Sequence, residues 1–298
     1  MDPNDPPGTL IPPPPFPAPV GLLIRFARQW VAGERLEDAI RAAKEANGKD
    51  VDAVLNLLGE HYKDRAVVET TRQEYLRVLD AIEKEGLNAC VSIKPSQFGL
   101  EFGRAYCESN VVPLFDRVRA MGDFLWLDME GSRFTDDTLD LYEYLRHRHH
   151  DVGVCLQANL KRTPKDLGRL LEIGGKVRLT KGAYRETPEV AHRTRAEVDA
   201  AYAALLRTLF EDGDHFAVAT HDGKLVDEAI RLSKDHKRIW EFQMLRGVRE
   251  PLKRELVAKG YRVVEYIPYG PNWLPYFTRR LRERPRNVLT MVRSFVQG

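Results

Sequence analysis

Two arginines on one helical face are the sharpest chemical signal in this chain. Tyr276, Arg279, Arg280 and Glu283 stand at i, i+3, i+4 and i+7, so a helix projects them together, while Arg282 and Arg286 point elsewhere. Two planar forks of donors side by side make a receptor for a carboxylate or a phosphate. A solvated basic face or a nonspecific RNA patch stays open beside that reading. A second signal is a series of polar side chains, each closing a short apolar segment: Glu60, Lys94, Asp128, Gln157, Arg178 with Lys181, His221, Gln243 and Tyr266. Lys94 ends Ile93-Lys94 and Asp128 ends Leu125-Trp126-Leu127-Asp128, where an unpaired charge would be costly. The two must face each other or a ligand. Gly182 directly after Lys181 permits a close backbone approach to something bound. Strand ends reach solvent and are polar for that reason alone, which accounts for any one of these positions. Their variety points to chemistry.

These side chains need a frame that aims them at one place. Apolar segments rich in β-formers recur at Val51–Leu58, Leu87–Lys94, Phe124–Asp128, Val152–Leu156, Val177–Lys181, His215–Thr220, Ile239–Leu245 and Tyr261–Ile267. Between them run helical stretches, such as Tyr75, Val78, Leu79 and Ile82, and Tyr202, Leu205 and Leu209, with start signals at Thr71 with Glu74, Thr163-Pro164 with Asp166, and Thr187-Pro188-Glu189. Alternating strands and helices imply a parallel sheet with right-handed crossovers. Eight such units match a closed (β/α)8 barrel of the TIM type, for which roughly 250 residues is typical. An open doubly wound sheet is the competing architecture. In a barrel the polar residues named above all fall at the C-terminal ends of strands, where chemistry collects. The expected organisation is a proline-rich extended arm over 1–20, N-terminal helices over 21–48 and a catalytic barrel over 49–298.

Composition sets limits. The 298 residues carry 46 Lys plus Arg against 44 Asp plus Glu, so no global field draws the chain to nucleic acid or an anionic membrane. Cys90, Cys107 and Cys155 form neither a disulfide framework nor a CxxC pair. A reducing cytoplasm is the expected compartment, because no apolar run approaches the roughly 20 residues of a spanning helix and no signal-peptide layout opens the chain. Neither GxGxxG nor GxxxxGK[ST] is present, so a phosphate-bearing cofactor would bind without those loops. His147, His149 and His150 with Asp151 have ligand chemistry but precede the fourth strand, at the end of a barrel that serves stability, and no metal is expected.

The segments Ser92-Ile93-Lys94, Leu127-Asp128, Arg178-Leu179-Thr180-Lys181-Gly182-Ala183-Tyr184, Ala219-Thr220-His221, Glu241-Phe242-Gln243-Met244-Leu245 and Tyr276 through Arg279-Arg280 to Glu283 resemble the proline dehydrogenase family, in order and in barrel position. The single-function bacterial form is expected, since the chain is too short for the aldehyde dehydrogenase partner of the bifunctional proline utilisation protein. The resemblance implies FAD at the C-terminal mouth of a distorted barrel and oxidation of L-proline to Δ1-pyrroline-5-carboxylate. Hydride would pass to flavin N5 and electrons onward to a quinone, with a transient peripheral contact at the inner membrane. It also implies roles. Arg279 and Arg280, with Lys94, would hold the proline carboxylate, and Tyr184, Leu245, Tyr266 and Tyr276 would pack around the ring. Asp128 would lie near both substrate and flavin, and Gln157, Arg178, Lys181, Gly182, Ala183, Tyr184, His221, Gln243 and Glu283 would line the cofactor. Glu60 would close the site as the acidic partner of Arg279. Arg185, Asp222 and Ala158-Asn159 stand where the family carries Trp, Asn and Ala-Tyr, departures that bear on the outer cofactor contacts. Two other classes remain as alternatives: a Schiff-base aldolase on the same barrel using Lys94 or Lys181, and an RNA-binding protein using the Arg279 to Arg286 helix.

Overall fold

A computed structural model describes residues 29–274 of the chain. The proline-rich arm, the first expected N-terminal helix over most of its length, and the helix carrying Tyr276, Arg279, Arg280 and Glu283 lie outside the described residues.

Eight strands close a parallel barrel in sequence order: β1 (Asp52–Leu57), β2 (Ala89–Ile93), β3 (Leu125–Leu127), β4 (Val152–Gln157), β5 (Lys176–Thr180), β6 (His215–Ala219), β7 (Ile239–Leu245) and β8 (Val263–Tyr269). Closure comes from β1 pairing with β8, from Asp52 opposite Val264 to Leu57 opposite Tyr269. Each of the eight expected segments holds one strand, and the open-sheet alternative is excluded.

Helix α1 (Leu36–Asn47) precedes the barrel and packs on β1 and β8. Helices α2 (Arg65–Glu85), α3 (Arg104–Met121), α4 (Thr135–Arg148), α5 (Thr163–Glu172), α6 (Arg195–Asp212), α7 (Gly223–Leu232) and α8 (Glu250–Ala258) follow β1 to β7. Their apolar stripes and the outward faces of the strands form one continuous core, with Tyr75, Val78, Leu79, Tyr142, Tyr202, Leu206 and Phe210 shut off from solvent. Burying a large apolar side chain of this kind stabilises by about 1.5–3 kcal/mol. Inside the barrel the filling is different. Val54, Trp126, Ala217 and Val264 plug its middle, and Gly153 makes room, since a Cβ there would lie 2.4 Å from the Trp126 ring. Polar groups occupy both ends.

The helix starts differ from the sequence expectation in two places. Asp64, not Thr71, caps α2: its carboxylate accepts from the Ala66 N–H at 2.8 Å, and Thr71 is a buried residue two turns in. Thr187-Pro188-Glu189 forms a turn, and α6 begins after Thr194, which shares a capping box with Glu197. In both cases a second hydroxyl or carboxylate at the right offset was available, and tertiary contacts chose it. At the third site α5 does begin at Thr163, but its hydroxyl donates back to the Gln157 carbonyl at 2.6 Å, tying the helix to β4 instead of capping it.

Candidate active site

The strand ends surround a cavity of about 1120 Å³ at the C-terminal mouth. Asp128 is its centre. β3 stops at Leu127, so Asp128 sits one residue past the strand and points inward, with its N–H held by the Ile93 carbonyl at 2.8 Å. One carboxylate oxygen accepts from Lys94 Nζ at 2.8 Å and from the Tyr266 hydroxyl at 2.7 Å; the other accepts from Ser92 Oγ at 2.8 Å and from Arg178 Nη2. Burial alone would raise this carboxyl, but the Lys94 and Arg178 cations outweigh it and hold it well below the usual carboxylate range. The same pairing answers the burial of Lys94, whose ammonium is held charged far above its ordinary value. A Schiff-base amine has to be neutral, so the aldolase alternative loses Lys94.

Arg178, 3% exposed on β5, is fixed on every side. Its guanidinium lies over the Trp126 ring at 4.9 Å and near the Tyr266 ring at 5.5 Å, donates to Ser92 Oγ at 2.8 Å, and donates through Nη1 to Gln243 Oε1 at 3.0 Å. A cation is thus buried on the cavity floor with its partners in place, the condition under which such a charge is tolerated. Around the rim, Gln157 donates to the Glu130 carbonyl at 2.9 Å and accepts from the Ala183 N–H at 3.3 Å. His221 Nε2 accepts from the Leu245 N–H at 2.9 Å, joining the exits of β6 and β7.

Lys181 forms ion pairs with Asp199 and, at 2.9 Å, with Asp222; Arg195 reaches the same Asp222 oxygen at 3.0 Å. The hydrogen bond from Lys181 leads the causes that bring the Asp222 carboxyl down to about 2. Gly182 has φ +105, and a Cβ on it would lie 2.0 Å from Asn159 Oδ1. Asn159, on a neighbouring loop, thus already lies close against this glycine, which also lines the cavity. Across the mouth, the Tyr184 hydroxyl donates to Glu60 at 3.0 Å, so two loops from opposite sides of the barrel meet.

Every expected site residue among the described ones lines this single cavity: Glu60, Lys94, Asp128, Gln157, Arg178, Lys181, Gly182, Ala183, Tyr184, His221, Gln243, Leu245 and Tyr266. Sequence reading missed Ser92, Asn56, Arg195 and Asp199. Ser92 and Asn56 had a signal available, since each lies an even number of residues from a strand exit and therefore faces inward. Arg195 and Asp199 belong to the first turns of α6, and strand-end spacing gives no hint of them. The histidines before β4 turn to partners of their own, His149 to Asp151 at 2.6 Å and His147 to the Glu143 carbonyl at 2.6 Å.

The family model described as proline dehydrogenase matches residues 39–292. The chain belongs to the proline dehydrogenase family. It is 34% identical to a proline dehydrogenase of Deinococcus radiodurans, over 92% of this chain and 91% of that one, and 31% identical to proline dehydrogenase 2 of Bacillus subtilis, over 90% and 92%. The fold is also that of a solved proline utilization A from Bdellovibrio bacteriovorus, with a TM-score of 0.81 at 23% identity, over 87% of this chain and 32% of that longer one. Membership makes this chain an enzyme, a dehydrogenase of proline catabolism on a distorted TIM-type barrel. Among the described residues no helix is long and apolar enough to cross a membrane.

Proposed function

We propose that the chain catalyses the FAD-dependent oxidation of L-proline to Δ1-pyrroline-5-carboxylate at the cavity centred on Asp128, in the cytoplasm, with electrons passing on to a quinone during peripheral contact with a membrane. The observation that carries this is the cluster of Lys94, Asp128, Arg178 and Tyr266 on the floor of one cavity, in a member of this family.

The cavity fits the group. At about 1120 Å³ it exceeds the roughly 300–1,000 Å³ of ordinary small-molecule pockets, leaving room for a cofactor and a small amino acid together. Arg178 and Gln243 on the cavity floor would hold a ring system, Gln157 and the 182–183 backbone would flank it, and Lys181 and Arg195 would supply the cations a diphosphate needs. When bound, the flavin supplies a hydride acceptor at N5. The rest falls to the protein. Lys94, fully charged, is placed to take the substrate carboxylate, and by the family resemblance Arg279 and Arg280, outside the described residues, complete that grip. Cations around the substrate amine favour its neutral form, the form that can give up hydride from the adjacent carbon. Arg178 would supply the positive charge that stabilises an acceptor as it gains negative charge. Tyr184, Leu245 and Tyr266 would pack on the proline ring and exclude water, joined by the family resemblance by Tyr276, outside the described residues, and Glu60 would close the mouth.

The test is optical. The purified protein is expected to be yellow, or to become so with FAD, and to bleach anaerobically with L-proline. A colourless protein that FAD cannot reconstitute, or a yellow one that proline leaves unchanged, overturns the reading.

A further inference from the structure

Glu241 is a buried acid that the chemistry above does not use. It lies on β7 two residues before Gln243, so both side chains point into the barrel. Glu241 is 5% exposed and lines a second cavity of about 410 Å³ at the N-terminal end, while Gln243 lines the catalytic one. The two residues join the cavities through the barrel core. Gln243 Nε2 donates to Glu241 Oε1 at 2.6 Å, and its Oε1 accepts from Arg178 Nη1 at 3.0 Å. The other Glu241 oxygen is 3.2 Å from Arg262, which pairs with Asp52 at 2.8 Å.

A glutamine amide has two chemically opposite ends. Arg178 offers only donors, so the oxygen must face it; the NH2 end then needs an acceptor. A carboxylate is acceptor-only. Its place behind Gln243 leaves the amide one orientation, whereas a flip would set NH2 against guanidinium and leave both without that bond at a buried position, where such a loss costs most. Neither arginine nor glutamine passes protons readily, so the row orients groups and does not conduct.

We infer that Glu241 is a positioning residue for the reaction: through the Gln243 amide it fixes the Arg178 guanidinium that holds Asp128 and would face the hydride acceptor. This rests on the proposed function.

The test uses full-length protein loaded with FAD and three variants. Glu241→Met removes the acceptor, Glu241→Asp keeps the charge but withdraws it from reach, and Glu241→Gln keeps an acceptor oxygen without the charge. Met and Asp are each expected to lower kcat about tenfold, short of the roughly hundredfold that a full ångström of misplacement can bring, with the proline KM unchanged. Gln is expected to restore most of the loss. The visible absorption of bound FAD, read without turnover, is expected to move with Met and Asp and to return with Gln. In a Gln243→Ala background the three variants are expected to add no further loss, the non-additivity of groups acting in series. A Gln variant as damaged as Met would show that charge matters and not the acceptor, and losses that persist in the Gln243→Ala background would show that Glu241 does not act through Gln243; either overturns the inference. Should Met not fold, Asp decides: full activity there overturns it. Wild-type protein that proline does not bleach overturns the functional reading instead, so the two failures are told apart.

Discussion

Asp128 accepts from four side chains on three other strands and one strand exit, which makes it a structural partner as much as a member of the site. Removing it leaves Lys94 and Arg178 without their anion, and breaking a buried pair from one side typically costs about 3–5 kcal/mol. Asp128→Ala is therefore expected to lose turnover and stability together, with a denaturation midpoint well below that of wild type; unchanged melting would show that water reaches Lys94 and relieves it. Because the folded carboxyl is held below its ordinary 3.8, its contribution is complete at neutral pH and fades only as pH falls through the acid range. Asp222 acts in the opposite sense on ligand binding. It ties up Lys181 and Arg195, the cations a diphosphate would use, and also caps α7 by accepting from the Lys224 N–H at 3.1 Å. Asp222→Asn keeps the cap and removes one of the two carboxylates that hold Lys181 and Arg195, Asp199 remaining, so apoprotein titrated with FAD should bind about 3- to 10-fold more tightly, roughly 1 kcal/mol. Equal or weaker binding would place the diphosphate away from this cluster.

At the level of elements, two-residue alternation decides which side chains enter the barrel, and the middle of the barrel is filled by one large indole against a glycine. Gly153→Ala puts a methyl group against Trp126 and is expected to cost about 1–3 kcal/mol by overpacking. Chemical denaturation would read this, and a neutral outcome would mean that the ring can swing aside. Asp64→Ala removes the cap of the 21-residue α2 and should cost about 1 kcal/mol. The strands were legible because buried parallel strands read as short apolar runs bounded by turns. Cap assignments were less so. Thr71 with Glu74 fits the capping pattern as well as Asp64 does, and only the packing of Tyr75, Val78 and Leu79 against the barrel shows that the helix has already begun.

Across the whole molecule the two barrel ends carry different electrostatics. At the N-terminal end, burial pushes the Asp123 carboxyl up to about 6 and the His215 imidazole down to about 4, in the same vestibule. Between their ordinary and folded values the signs oppose. The unfolded chain binds more protons at His215, so that residue makes stability fall as pH drops from about 6.5 to 4. The folded chain binds more at Asp123, so that residue makes stability fall as pH rises from about 4 to 6. Relative to wild type, Asp123→Asn should lose melting temperature on acidification across this window, and His215→Gln should lose it on alkalinisation. Parallel curves would refute the assignment.

The sequence by itself determined the strand count, the alternation of strands and helices that implies a parallel sheet, and the set of side chains that end each strand, because periodicity and strand-exit position are local properties of the chain; closure, against an open doubly wound sheet, was decided by β1 pairing with β8. It also marked Lys94 and Asp128 as charges needing partners. Only the tertiary structure decided that they satisfy each other, that Arg178 and Ser92 join them, that Asn159 is what Gly182 approaches, and that Tyr184 meets Glu60 across the mouth. Those pairings link residues far apart in the chain, and their geometry is set by barrel closure, which no window of neighbouring residues contains.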